Sequence, residues 1–142
     1  MSDTEIINQR IACKAVIVKN GKVLVLREAS YDEATQVGRY GFPGGRLNPG
    51  EPFLDGLQRE VREETGLVVS IGKPIFIGEW FPVIKEVKNQ IVAIFFVCEP
   101  ITDVVTLSEE HDEYKWINLA ESEEMNFMSP ENDVLTTYFA SA

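Results

Sequence analysis

The stretch 45–67 constrains this chain more than any other, because a glycine-rich loop there runs straight into a helix with both ends marked. Pro52 suits a first helical position, where the N–H it lacks would go unpaired anyway. Asp55 puts negative charge in the first turn, at the positive end of the helix dipole. Gly66 stands where a left-handed residue closes a helix, so the pattern predicts a helix over residues 52–65. Phe53, Leu54, Leu57 and Val61 recur at helical period as an apolar stripe, and Gly56 leaves room on that side. Glu60, Glu63 and Glu64 lie at i, i+3 and i+4, so three carboxylates share one face beside the stripe. Such like-charge pairs cost roughly a few tenths of a kcal/mol each when exposed. With Arg59 and Arg62 close by, two readings of this face stand: a partly paired, solvated surface, or a hard-cation site built from oxygen ligands.

The whole stretch resembles the Nudix box, Gly-x5-Glu-x7-Arg-Glu-U-x-Glu-Glu-x-Gly-U with U aliphatic. Gly45, Glu51, Arg59, Glu60, Val61, Glu63, Glu64, Gly66 and Leu67 fill every constrained position without an insertion. The resemblance implies an α/β fold, an α/β/α sandwich around a mixed β-sheet, and a metal-dependent pyrophosphohydrolase. Beyond the box it extends loosely over most of the chain, through a hairpin before it, the Phe42-Pro43-Gly44-Gly45 approach and the segment 110–116.

At 142 residues the chain reads as one domain, 1–142, large enough for a real core. Its net charge of −10 argues against nucleic acid or an anionic membrane surface as partner, since both require basic patches. An acidic protein acting on an acidic substrate needs cations between them. Cys13 and Cys98 lie far apart in apolar runs and read as buried thiols, neither a disulfide framework nor a zinc set. The start carries no secretory signal pattern, and the longest apolar run, 91–98, is too short for a bilayer, so a cytoplasmic location is expected.

In chain order, residues 1–10 read as a loose arm or edge strand. Asn20-Gly21 predicts a hairpin over residues 11–27. Residues 28–39 read as a loop, and 40–45 as a short strand and tight turn delivering the box. A strand over 67–71 is expected to break at Gly72-Lys73-Pro74 and resume over 75–81, with Pro82 as its end. Residues 85–90 read as a polar connection, 91–98 as a buried central strand, 113–118 as a last strand, 119–124 as a helical turn and 130–140 as a helix.

Oxygen donors at Glu60, Glu63 and Glu64 suit Mg²⁺ or Mn²⁺ and not zinc. The family resemblance implies that the Gly45 carbonyl joins them, its turn permitted by the Gly44-Gly45 pair. Arg59 and Glu51 match the family's arginine and first glutamate, with an expected orienting role; a surface ion pair is the plain alternative. The implied reaction is attack of water on a phosphorus of a diphosphate linkage, which requires a general base. The family places that base in the box, here Glu60 or Glu64, or in the later loop, where Glu110 fits as base and further metal ligand. Glu109 and Glu113 compete with it. His111 is the one histidine, a base, a phosphate donor or a structural residue.

Arg27 and Arg39 flank the loop before the box and are expected to grip phosphates. Phe42 is an aromatic group that could stack on a base. Asn132 lies near the position where triphosphate-cleaving relatives carry a base-reading asparagine, whereas Pro82 resembles a marker of ADP-ribose pyrophosphatases, and neither decides the substrate. The expected partner is a small-molecule nucleotide: a nucleoside triphosphate, an oxidised nucleotide, ADP-ribose or a nucleotide sugar. A homodimer is left open. The alternatives are a non-catalytic nucleotide sensor, which would have lost box glutamates, and an isopentenyl-diphosphate-isomerase-like enzyme, which would need a catalytic cysteine and a longer chain.

Overall fold

In the computed structural model, which describes residues 5–141, the polar beginning of the chain is part of the sheet. Strand β1 runs over Ile7–Lys19, and Ile7 to Gln9 already pair with Lys88 to Gln90. The arm expected over residues 1–10 is therefore a strand from Ile7 onward, while residues 1–4 lie outside the described part. Asn20 and Gly21, at φ 52° and 75°, turn the chain into β2, Lys22–Glu28, as the Asn-Gly signal predicts. Short strands follow at β3, Tyr40–Gly41, and β4, Gly44–Arg46. Helix α1, Phe53–Thr65, comes next, then β5 (Val69–Trp80), β6 (Val83–Ile84), β7 (Val87–Pro100), β8 (His111–Ile117), α2 (Leu119–Ser122) and α3 (Glu131–Ser141).

The strands form one mixed eight-stranded sheet with the path β3-β2-β1-β7-β5, in which β4 also pairs β1, β6 pairs β7 and β8 pairs β2. Its centre is the parallel pair β1–β7, in register from Ile7↔Lys88 to Ile17↔Cys98. Successive side chains point to opposite faces, so this pair feeds two cores. Ala12, Val16, Ile91, Ala93 and Phe95 pack with Phe42, Val134 and Leu135 on the α3 side. Cys13, Ala15, Ile17, Phe96 and Cys98 pack with Leu57, Val61 and Leu67 on the α1 side. The α/β/α sandwich expected from the sequence is the observed architecture.

Several local expectations change. Residues 69–80 form one strand, because Gly72-Lys73-Pro74 is absorbed as register shifts against β7 and pairing continues past it. The polar segment 87–90 belongs to β7, since backbone pairing to β1 and β6 satisfies it whatever its side chains are. Lys85 and Glu86, at φ 49° and 67°, make the tight turn of a β6–β7 hairpin that lacks any glycine signal. Pro52 precedes α1 as its N-cap residue rather than opening the helix. Gly66 closes α1 in the left-handed region, at φ 72°, with its N–H on the Arg62 carbonyl at 2.9 Å.

The buried face of α1 is Gly56, Leu57, Val61, Glu64 and Thr65. Phe53 and Leu54, expected in the apolar stripe, are 49% and 44% exposed, although the Phe53 ring stacks on Phe96 of β7 with centroids 6.0 Å apart. Gly56 is needed there: a Cβ would come within 2.4 Å of Leu47 Cδ2 and 2.9 Å of Glu51 Oε1.

Candidate active site

Helix α1 and the β4 turn meet on a pair of glycines. Gly44 pairs with Lys14, and Gly45 with Cys13, so the turn lies directly on β1. At φ 129°, Gly44 has a conformation that side chains avoid, and a Cβ there would stand 2.3 Å from the Cys13 carbonyl oxygen. This closeness lets the Gly44 N–H donate to Glu64 Oε1 at 2.8 Å. Glu60 comes to the neighbouring residue: a Cβ on Gly45 would lie 2.9 Å from Glu60 Oε2.

Arg59 ties the loop to the helix. Its Nε and Nη2 donate to the two oxygens of Glu51 at 2.7 and 3.0 Å, and its Nη1 to Glu60 at 3.0 Å and Glu63 at 3.3 Å. Glu51 also accepts the Asn48 N–H at 3.1 Å, which closes the loop. The Arg59 and Asn48 hydrogen bonds hold the Glu51 carboxyl down at about 2. Burial has the opposite effect on its neighbours. It raises Glu60 against the opposing pull of Arg59, and pushes Glu64 up to about 8, with Glu60 and Glu110 adding repulsion.

These groups line a cleft of about 320 Å³. Gly44, Gly45, Glu60, Glu63 and Glu64 contribute its acidic part, with Arg10 and Arg46 also in the lining. Lys14, the strand partner of Gly44, links them to Glu131 and Trp80, and Ile84, Ile91 and Met128 add an apolar part. Glu110 and His111 stand at the side, beside Glu28 and Tyr31. His111 Nδ1 is buried without a hydrogen-bond partner, and burial, then Lys14, push the imidazole down to about 4, so the ring is neutral near pH 7.

Of the residues singled out from sequence, Gly44, Gly45, Glu60, Glu63, Glu64, Glu110 and Phe42 line this cleft. Phe42 does so from the core, 2% exposed and edge-on to Phe95. Arg59 and Glu51 stand behind the cleft as its brace. Arg27 is not among the lining residues; it is paired with Asp112 at 2.7 Å and Glu113 at 2.9 Å. Arg39 is exposed on the loop beside Gln36, and Asn132 is exposed on α3, one residue past the buried Glu131. Glu113, a competitor of Glu110, is held by Arg27 and by the Tyr40 hydroxyl at 2.5 Å. The cations that do line the cleft, Arg10, Lys14 and Arg46, were not singled out. Only Lys14 left a signal, a charge inside an otherwise apolar strand.

A family model described as the NUDIX domain matches residues 8–138. The nucleoside triphosphatase NudI of Enterobacter sp. (strain 638) is 30% identical over 116 residues, 77% of this chain and 82% of that protein. The CTP pyrophosphohydrolase of Escherichia coli (strain K12) is 26% identical over 108 residues, 76% of this chain and 75% of that protein. The crystal structure of the MutT protein from Methanosarcina mazei Go1 superposes with a TM-score of 0.78 at 30% identity, over 97% of this chain and 98% of that one.

Proposed function

The chain belongs to the Nudix family of hydrolases acting on pyrophosphate bonds, and from that premise we propose that it is a Mg²⁺-dependent pyrophosphohydrolase cleaving the diphosphate linkage of a nucleotide. The observation that carries this reading is the convergence of Glu60 and Glu64 on the Gly44–Gly45 turn, inside a cleft that Trp80, Ile84, Ile91 and Met128 also line.

The donor set suits a hard divalent cation. Among the described residues Glu64 is a buried carboxyl group with no ion pair of its own; Lys14 offsets its charge only in part, and Glu60 and Glu110 add negative charge around it. Such a cluster gains from a charge the protein itself does not supply. Among the described residues no three acidic, histidine or cysteine side chains yet close around a common point. Arg59 holds Glu60 and Glu63 apart from one, and Glu63 is 58% exposed. Glu60 and Glu64 are the assigned ligands, with Glu63 and Glu110 joining by side-chain rotation; Mn²⁺ would meet the same oxygens. The Gly45 carbonyl expected among them faces Cys13 instead, because Gly45 sits in the hydrogen-bonded register of the β1–β4 ladder, between the Ala15–Pro43 and Ile11–Leu47 pairs. A divalent cation held by these carboxylate oxygens would supply charge neutralisation for phosphate oxygens and a lower pKa for the attacking water.

The chain's own groups do the rest. Arg10 and Arg46 offer guanidinium groups to phosphate oxygens from the cleft lining. Arg59, fixed by Glu51, holds the Glu60 carboxylate in place. Glu110, at the cleft edge and free of the contacts that occupy Glu113, is the assigned acceptor of the water's proton. The test is product identification from nucleoside di- and triphosphate derivatives with Mg²⁺ and with chelator, on the wild type and on Glu60→Gln and Glu64→Gln. Turnover should require the metal and be lost in both folded variants. Full activity in the variants, or indifference to chelator, would sink the assignment.

A further inference from the structure

Lys14 and Glu131 form an ion pair in the cleft lining that the hydrolysis described above does not use. Lys14 Nζ donates to Glu131 Oε1 at 3.0 Å, with the two side chains 11% and 2% exposed. Buried pairs are weak stabilisers, because desolvating both charges costs about what their attraction returns. The surroundings are nevertheless shaped around this one. Lys14 interrupts a strand in which Ala12, Cys13, Ala15, Val16 and Ile17 are all buried. Gly41 leaves the space beside it, where a Cβ would stand 3.0 Å from Met128 Sδ and 3.3 Å from Glu131 Oε1. Burial alone lowers the Lys14 pKa, but Glu131, Glu64 and Glu28 outweigh it, so the amine stays charged.

The pair is unsaturated. An ammonium has three donors and a carboxylate about four acceptor positions. Among the described residues Lys14 makes one hydrogen bond, to Glu131, and Glu131 Oε2 accepts none. Both residues line the cleft, and the Nζ–Oε1 bond fixes the order in which the pair presents its row of groups: donor Nζ, acceptor Oε1, acceptor Oε2. The Trp80 ring, its centroid 5.8 Å from Lys14 Nζ, provides a flat wall beside this row.

The complement of such a row is an acceptor, a donor and a second donor along one planar edge. Guanine has this order at O6, N1–H and the N2 amino group. Hypoxanthine has the first two and lacks the third. Uracil has the first two but sets a carbonyl against Oε2. Adenine offers one acceptor and one donor and leaves Oε2 unpaired, and cytosine sets its ring nitrogen, an acceptor, against Oε1.

We propose that Lys14 and Glu131 are the base-reading residues of this cleft and that they select guanine nucleotides by their O6, N1–H and N2-amino edge. The proposal rests on the hydrolase reading for the placement of the phosphates, but base selection is measurable without turnover. The experiment is calorimetric binding of GMP, IMP, UMP, AMP and CMP to the wild-type protein, alongside kcat/KM for the matching triphosphates with Mg²⁺.

GMP should bind roughly tenfold or more tightly than IMP, the effect of one hydrogen bond to a charged group. It should exceed AMP and CMP by about 100-fold or more, because those bases leave buried charges unpaired. The double variant Lys14→Met with Glu131→Leu removes both charges together and strands neither; it should lose the guanine preference chiefly through KM. Equal affinity for GMP and IMP overturns the proposal, and the wild-type comparison decides this even if the double variant fails to fold. A guanine preference that survives in a folded double variant also overturns it. If GMP binds selectively but no triphosphate is cleaved, base reading stands and the hydrolase reading falls. If all triphosphates are cleaved alike and GMP binds no tighter, the reverse holds.

Discussion

Three glycines of the loop before α1 should respond to alanine in three different ways. Gly50 lies at φ 84° with nothing within 4 Å of an added Cβ. Gly50→Ala therefore costs only the positive-φ penalty, about 1–2 kcal/mol. Gly45 is not at positive φ, and the three atoms nearest its added Cβ all belong to the Glu60 carboxylate, at 2.9–3.2 Å. That carboxylate ends a flexible side chain and can shift, so stability should change by less than about 1 kcal/mol. The displaced Glu60 should, however, lower kcat by roughly 100-fold.

Gly44 combines both problems. It lies at φ 129°, and its Cβ would meet backbone on β1, the Cys13 oxygen at 2.3 Å and Lys14 Cα at 2.7 Å. Backbone cannot rotate away, so β4 must lift from β1. Besides about 1–3 kcal/mol of conformational strain, this weakens the β1–β4 pairing at about 1 kcal/mol per bond. It also breaks the Gly44 N–H bond to Glu64, a bond to a carboxylate worth about 1.5–3 kcal/mol. With one ladder bond lost the total is about 3.5–7 kcal/mol, a large part of the roughly 5–15 kcal/mol that holds a typical domain folded. Urea denaturation of the three variants, with turnover measured on the folded ones, provides the comparison. Equal stability losses for Gly44→Ala and Gly50→Ala, or a Gly45→Ala enzyme of normal kcat, would refute the reasoning.

The metal-free protein should lose stability as pH rises from about 6.5 to about 8. Below that window the Glu64 proton, kept only when folded, and the His111 proton, kept only when unfolded, give opposing slopes; within it only Glu64 differs, the folded state binds more protons, and the fall is roughly 2 kcal/mol. Denaturation in chelator should show this fall for the wild type and a flatter profile for Glu64→Gln; parallel profiles would count against a buried, proton-binding Glu64. Glu110→Gln should lower kcat far more than Glu113→Gln, because Glu113 is occupied by Arg27 and Tyr40 outside the cleft; steady-state kinetics showing the reverse order would move the role to Glu113. Arg59→Lys should reduce kcat at least tenfold with a stability change of only about 1 kcal/mol, since lysine cannot hold Glu51 bidentately while touching Glu60; unchanged kinetics would show that the brace is dispensable.

What the sequence alone determined is what local spacing controls. The 3.6-residue period of α1 brings Glu60 and Glu64 to the same side, and the Gly66 cap, the Asn20-Gly21 hairpin and the Arg59–Glu51 brace all follow from residue types at short range. The Gly44-Gly45 pair also marked a close approach, because only a backbone without side chains can lie against a neighbouring strand with two glutamates reaching it.

The tertiary structure decided what depends on elements distant in the chain. The sheet register places Gly44 beside Lys14, and the approach of α3 places Glu131 on that lysine, 117 residues further along the chain. Neither partner predicts the other from sequence, since an ion pair between strand and helix follows no period. Arg27 and Arg39 illustrate the converse. Both carry the right chemistry for phosphate and lie close to the box in sequence, yet β8 pairs with β2 and supplies Asp112 and Glu113 to Arg27, and Arg39 remains on the outer side of its loop. Asn132 missed the cleft by a single residue, because one step around α3 is about 100° and turned it to solvent while Glu131 turned inward. The sequence thus determined that Glu60 and Glu64 share one side of a helix beside a glycine turn. Only packing decided which charges join them in the cleft, because burial and pairing are properties of the assembled sheet.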